Sequence, residues 1–209
     1  KLLRALDNGT LDLEFDFIVG FPVVESFGAF IKCGWLNPFD LEWSIMLNKP
    51  IQGFLNRSKF QNLNDWGTLP QSFDNSTSGK FELHYEKGFD DYRSKLRPDI
   101  HFRAVNSDKS TIADCKIIRR GNYMTECIIG KITSSEQLTN ANVQELTRTI
   151  KSTVSASIIS IANVPGIEAP KGFRKIDRSF HFILKEGRLK LNELDLSRAN
   201  IGRADIDTW

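Results

Sequence analysis

The chain has 209 residues, of which 40% are hydrophobic and 26% are charged. A chain of this size can bury one hydrophobic core without disulfides or structural metals. Its three cysteines, Cys33, Cys115 and Cys127, include no CxxC pair, which argues against a disulfide framework and a structural zinc site. No apolar run is long enough to span a membrane, and no signal-peptide pattern begins the sequence. We therefore expect an intracellular protein without a membrane partner, cytoplasmic, or nuclear in a eukaryote.

The charge of the chain is nearly balanced, with a formal net charge of +2 and a pI of about 8.4. Such a value does not by itself indicate nucleic-acid binding. Positive charge is concentrated locally, because four basic residues between 116 and 131 face only Glu126, and seven between 171 and 190 face only Asp177 and Glu186. Each cluster is typical either of a solvated face or of a phosphate-binding surface.

The first third of the chain predicts a strand and then a helix. Residues 11–17 alternate apolar and polar side chains, which indicates a strand. Asn37 and Pro38 resemble a helix cap and first helical position, and Leu41, Ile45 and Met46 follow at helical spacing. Residues 56–80 are rich in Asn, Ser, Asp, Gly and Gln and predict an irregular segment.

The remaining two thirds predict mainly strands. Segments 81–89, 98–105 and 110–120 are rich in β-branched and aromatic residues and indicate three consecutive strands. Residues 136–152 show helical periodicity, and the apolar run 155–165 is typical of a strand buried on both faces. The sequence around Glu186 and Gly187 predicts a C-terminal hairpin.

Three charged residues on two of these strands form a candidate catalytic group. Asp99 begins one strand, while Asp114 and Lys116 lie two residues apart on the next and so share a face. A hairpin with Val105 opposite Ser110 would place Asp99 opposite Lys116 and diagonal to Asp114. Two converging carboxylates repel each other unless a hard cation neutralises them. We therefore expect Mg²⁺ at this position, with Mn²⁺ as an alternative ion, and an ammonium beside the attacked phosphate.

The segments RPDI (97–100) and ADCK (113–116) resemble the PD-(D/E)xK, or restriction-endonuclease-like, nuclease superfamily. The segments LRPDI and IADCK are most similar to nuclease subunits of McrBC-type restriction systems. The resemblance implies an α/β fold whose core is helix, three strands, helix and strand, with a mixed central sheet. It also implies metal binding by Asp99, Asp114 and the Cys115 carbonyl, with Lys116 near the attacking water.

Further site residues follow less directly. Family members often carry an acidic residue on the first helix, and Glu42 is the candidate here, with Glu82 and Glu86 as alternatives. Gln144 and Arg148 lie one turn apart on the later helix and could face the substrate. We predict an N-terminal extension of unknown role over residues 1–37 and a nuclease domain over 38–209, with its catalytic core at about 80–165.

The leading functional hypothesis is a Mg²⁺-dependent endonuclease that hydrolyses DNA in restriction, defence, repair or recombination. One alternative is an RNA endonuclease similar to cap-snatching enzymes, for which His84 would be the histidine ligand. Another is a catalytically silent domain for nucleic-acid binding or assembly, and a third is an interaction domain in which the motif is accidental. The expected partner is nucleic acid, with DNA favoured, and the chain could act as a homodimer or as a subunit of a larger complex.

Overall fold

A computed structural model describes residues 15–49, 101–107, 109–121, 124–135, 138–162, 168–196, 199, 201–203 and 206. The elements, in chain order, are β1 (Phe17–Gly20), α1 (Val24–Lys32), β2 (Leu36–Leu47), β3 (His101–Val105), β4 (Thr111–Arg120), β5 (Met124–Ser134), α2 (Asn140–Thr153), β6 (Ile158–Ala162), β7 (Arg174–Glu186) and a 3-10 helix (Leu191–Glu193). The strands form one sheet in the order β1-β7-β2-β6-β5-β4-β3. Only β5 and β6 pair in parallel among the described strands.

The helix predicted from Pro38 is wrong, because residues 36–47 form the strand β2. Phe39, Leu41 and Trp43 alternate with polar residues and share one face of the sheet, a period of two rather than 3.6. The pairing of β2 with β7 is irregular between Leu36 and Phe39. There the side-chain amide of Asn37 donates to the Phe182 carbonyl at 2.9 Å, so it bonds across the sheet instead of capping a helix.

The β3–β4 hairpin exists, but its register differs by two residues from the prediction. Val105 lies opposite Ile112 and His101 opposite Lys116. Asn106 closes the turn, because its side-chain oxygen accepts from the Thr111 N–H at 2.9 Å. An even shift leaves every side chain on its predicted face.

β5, a strand of 11 residues, was not predicted from the sequence. It pairs along the full length of β4, and its register is interrupted between Lys131 and Ile129. Gly130 is the extra residue of this β-bulge, where a residue without Cβ lets the strand bend.

Helix α2 confirms the predicted helix and its apolar face, although it begins at Asn140 and not at residue 136. Thr139 caps its first turn by accepting from the Asn142 N–H at 3.3 Å. Val143, Leu146 and Ile150 are buried against one face of the sheet. The crossover from β5 through α2 leads to β6, which is buried as predicted.

The opposite face of the sheet carries a second core beneath the C-terminal segment. Leu41 and Phe182 pack there against Ala199, Ile201 and Ile206. The predicted C-terminal hairpin is wrong, since the chain continues from β7 into a 3-10 helix instead of a second arm. The segment then crosses the β5 bulge at Gly202, where an added Cβ would lie 2.1 Å from the Gly130 carbonyl oxygen.

Residues before 37 contribute to the same sheet. β1 pairs with the end of β7, from Phe17 opposite Glu186 to Gly20 opposite Ile183. Helix α1 follows and ends at Lys32, and Gly34 just beyond its C-cap has a φ of 81°, which suits a glycine after a helix. The proposed boundary at residue 37 stays a prediction.

The predicted restriction-endonuclease-like fold class is therefore wrong. That core begins with a helix, whereas this sheet has β2 in that place, and seven strands are combined with two α-helices in the described part of the chain. The segment 81–89 lies outside the described residues. No helix among the described residues has the length and apolar character needed to cross a membrane.

Candidate functional site

Asp114 forms an ion pair with Arg103 on the neighbouring strand β3. It lies opposite Arg103 in the β3–β4 pairing, and Arg103 Nε donates to its carboxylate at 2.7 Å. The two side chains are 6% and 18% exposed. A largely buried guanidinium therefore neutralises the carboxylate for which the sequence predicted a metal ion.

Of the other residues of the predicted group, the structure describes Lys116 and not Asp99. Lys116 shares a face of β4 with Asp114 and lies opposite the buried His101. Asp99, Glu82, Glu86 and His84 lie outside the described residues. The convergence of two carboxylates is accordingly a prediction that the structure does not test.

Cys115 points to the opposite face of β4 from its neighbours and is fully buried in the core beneath α2. Burial raises the pKa of its thiol well above the usual value, and the adjacent Cys127 thiol raises it further. The side chain is a core group.

Glu42 lies far from Asp114. β6 and β5 separate their strands in the sheet, a distance of about 14 Å at ~4.8 Å per strand. Its carboxylate accepts instead from Lys175 Nζ at 2.5 Å. Gln144 is also engaged, since its side-chain oxygen accepts from the Lys171 N–H at 2.8 Å, whereas Arg148 is exposed.

Within the described residues, no three His, Cys, Asp or Glu side chains are grouped as ligands of a metal ion. The Mg²⁺ or Mn²⁺ prediction depends on Asp99 and stays untested. The described residues alone do not fit such an ion, because the Asp114 carboxylate already binds Arg103.

A basic run at the start of β7 is the clearest charged feature of the described surface. Lys171, Arg174, Lys175 and Arg178 are all exposed, and Asp177 is the acidic residue between them. β7 pairs with β2 along this part, while its pairing with β1 covers only residues 183–186. Between Ser179 and Lys175 the pairing with β2 is irregular, as at a β-bulge.

Beneath this run lies an arginine–tryptophan cluster formed by Trp43, Arg178 and Arg203. The Arg178 guanidinium lies 4.6 Å from the centre of the Trp43 ring, and that of Arg203 lies 3.7 Å from it. Arg203 is only 7% exposed, and its Nε and Nη1 have no hydrogen-bond partner in the described part of the chain. Burial lowers the pKa of Arg203 to about 10, which still leaves it protonated at neutral pH.

A buried carboxylate completes the electrostatics of this face. Glu126 is 4% exposed and accepts hydrogen bonds from Ser160 and from Arg120. Its charge acts on Arg203 in the direction opposite to burial, while Arg120 and Arg178 act with burial. Sequence reasoning did not find this arrangement, because no local pattern connects Trp43 with Arg203 about 160 residues later.

Comparison with known proteins gives little. No family model matches the chain, and no curated protein matches it. The chain is similar to a solved GCN5-related N-acetyltransferase from Anabaena variabilis, with 8% identity and a TM-score of 0.49, over 88% of this chain and 49% of that one. The chain thus spans about half the length of that protein, and the likeness is too weak to carry a functional argument.

The resemblance to the PD-(D/E)xK superfamily, including McrBC-type nucleases, is wrong. β2 replaces the helix that opens the family core, and Asp114 pairs with Arg103. The predicted Mg²⁺-dependent endonuclease activity, on DNA or on RNA, rested on that resemblance and is wrong as well.

Proposed function

We propose that the chain binds the phosphate backbone of nucleic acid, DNA in the first instance, through the basic run at the start of β7. The observation that carries the proposal is the exposure of Lys171, Arg174, Lys175 and Arg178 along one short segment. Phosphate contacts supply most of the affinity of non-specific nucleic-acid binding, through release of counterions. The proposal concerns binding and includes no bond cleavage.

The dimensions of the run suit a nucleic-acid backbone. Seven residue steps from Lys171 to Arg178 reach at most about 25 Å, the axial rise of about seven phosphates of one DNA strand at ~3.4 Å each. Exposed lysine and arginine side chains are flexible enough to follow such a track. An exposed ion pair with Glu42 holds Lys175, and because surface ion pairs contribute at most about 1 kcal/mol, a phosphate can compete for this lysine.

The charges along the run also favour an anionic partner. Four cations and one carboxylate occupy residues 171–178, so the segment carries an excess of positive charge although the whole chain is nearly neutral. A local excess of this kind attracts a polyanion at distances within the Debye length, about 10 Å at 0.1 M salt.

Binding can be measured by fluorescence anisotropy with labelled single-stranded and duplex oligonucleotides over a range of salt concentrations, in EDTA. For duplex DNA we expect log K to fall linearly with log salt. The double variant Lys171→Gln, Arg174→Gln should reduce that slope by about 1.8, because each lost phosphate contact reduces it by ~0.9.

The matched control is Lys32→Gln, Lys151→Gln, which removes the same charge from two exposed lysines on α1 and α2. This control should keep the wild-type slope. An equal loss in both double variants would show that only net charge matters, and absence of binding at 20 mM salt would refute the proposal.

A further inference from the structure

The Arg203 guanidinium is the best candidate for a second site, because it is a buried cation with hydrogen-bond donors to spare. Buried polar atoms are nearly always paired, since leaving one unpaired costs about 1–3 kcal/mol. Arg203 leaves two such nitrogens without a partner in the described part of the structure, and Trp43 Nε1 beside it is a third buried donor in the same state. Three unpaired donors at one place indicate that an acceptor belongs there.

The charges around this point favour an anion as that acceptor. Arg120, Arg178 and Glu126 all act electrostatically on Arg203, and the Glu126 carboxylate is already engaged by Arg120 and Ser160. Two positive charges therefore remain uncompensated among these four residues. Guanidinium groups recognise planar pairs of oxygens on phosphate or carboxylate, and two together suit a dianion.

Access to this point is provided by Arg178. It is exposed, whereas Arg203, on the C-terminal segment, is buried, and their guanidinium groups lie 4.6 and 3.7 Å from the centre of the Trp43 ring. An anion that approaches this ring from solvent would therefore meet Arg178 before Arg203. The neighbouring cavity of about 450 Å³ beside residues 175–179 is a weaker candidate, because Asp40, Glu42 and Asp177 line it together with Lys175 and Arg178.

We propose that the arginine–tryptophan cluster of Trp43, Arg178 and Arg203 binds a single phosphate group. The phosphate can belong to a free phosphate monoester or to the end of a nucleic-acid strand, since both present the same oxygens. This goes beyond the proposed function, because the basic run contacts a continuous backbone while the cluster holds one group, and either can fail alone.

The first measurement is the thermal midpoint of the whole chain, titrated with inorganic phosphate against sodium chloride at equal ionic strength. Wild-type protein should be stabilised by phosphate with saturation. Arg203→Met keeps the length and apolar contacts of the side chain but removes the buried charge, so its midpoint without phosphate should be no lower than wild type. Its response to phosphate should be lost.

Arg178→Gln is the second variant, because a change at an exposed position does not endanger the fold. Its affinity for phosphate by calorimetry should fall about tenfold or more, as expected for loss of a charge-assisted hydrogen bond. Lys151→Gln serves as its control and should bind phosphate as the wild type does.

The source of the phosphate is decided with a short oligonucleotide carrying or lacking a 5′-phosphate. A preference for the phosphorylated form that disappears in Arg203→Met assigns the site to strand ends, whereas a response to inorganic phosphate alone assigns it to free monoesters. The proposal is overturned if Arg203→Met and Arg178→Gln respond as the wild type does. It is equally overturned if neither probe binds, which would leave water as the acceptor for the buried donors. Backbone binding is tested separately by the salt dependence of Lys171→Gln, Arg174→Gln, because that double variant leaves Trp43, Arg178 and Arg203 unchanged.

Discussion

Asp114 lies opposite Arg103 because the β3–β4 register differs by two residues from the predicted one. The hydrophobic pattern does not distinguish these two registers. With Val105 opposite Ser110, Asp114 would have faced His101; with Val105 opposite Ile112, it faces Arg103. Both registers place the same side chains on the core face, so burial of apolar surface does not distinguish them. The turn decides between them through the Asn106 side chain, which bonds to the Thr111 N–H.

The burial of Cys115 predicts that its thiol is unreactive in the folded protein. Burial, and then the Cys127 thiol, raise the pKa of Cys115 above its ordinary value of 9.0, so the folded thiol stays protonated and unreactive at pH 8. Iodoacetamide at pH 8 should therefore modify the partly exposed Cys33 in the native protein and reach the two buried thiols only in urea. Mass spectrometry of peptides identifies the modified positions. Rapid native labelling of Cys115 would contradict the burial described here.

The raised pKa of Cys115 also makes the stability of the folded protein depend on pH. The folded protein retains the Cys115 proton at a pH where the unfolded chain has lost it, so this contribution is complete below about pH 9 and declines as pH rises further.

Among the elements, α2 and β6 were predictable because their signals are local. The helix has a cap and three buried positions at helical spacing, and the strand is an uninterrupted apolar run. β2 was misassigned because Asn37 and Pro38 mimic a helix start, although the alternation from Phe39 to Trp43 already indicated a strand. β5 was missed because Gly130 interrupts its pattern at a bulge.

Two glycines with different surroundings, Gly202 at the β5 bulge and Gly28 in α1, predict opposite effects of substitution by alanine. Gly202→Ala should destabilise the protein by about 1–3 kcal/mol or more, because its Cβ would meet the Gly130 backbone, which cannot rotate away. Gly28→Ala in α1 has open space around it and should stabilise by up to about 1 kcal/mol through helix propensity. Urea denaturation measures both. Equal stability of Gly202→Ala and wild type would mean that the segment does not cross the bulge as described.

At the scale of the whole molecule, the arginine–tryptophan cluster could not be predicted because it joins β2, β7 and the C-terminal segment, which only the folded sheet brings together. The nuclease hypothesis failed for the related reason that Pro-Asp and Asp-x-Lys are short motifs whose meaning depends on their surroundings. The association of the chain as a homodimer or within a larger complex stays a prediction.

One sheet separates two cores, the one beneath α2 that contains Ile150 and the one beneath the C-terminal segment that contains Ile201. Because strands such as β2 and β6 contribute side chains to both cores, loss of either face should unfold the whole sheet. Ile150→Ala and Ile201→Ala, both fully buried, should each cost about 2–5 kcal/mol, while Leu47→Ala at a 75% exposed position should change stability by no more than ~0.5 kcal/mol.

The decisive measurement compares urea unfolding of these variants by tryptophan fluorescence and by far-ultraviolet circular dichroism. The chain has four tryptophans, so Trp35, Trp66 and Trp209 are first replaced by Phe to leave Trp43, which lies on the face covered by the C-terminal segment. Its fluorescence transition should shift as much in Ile150→Ala as the circular dichroism transition does, since a two-state unit gives coincident transitions. If Ile150→Ala shifts only the circular dichroism signal, the two cores unfold separately. Phosphate bound at Arg203 would then raise only the unfolding midpoint reported by Trp43, because ligand binding stabilises only the unit that contains its site.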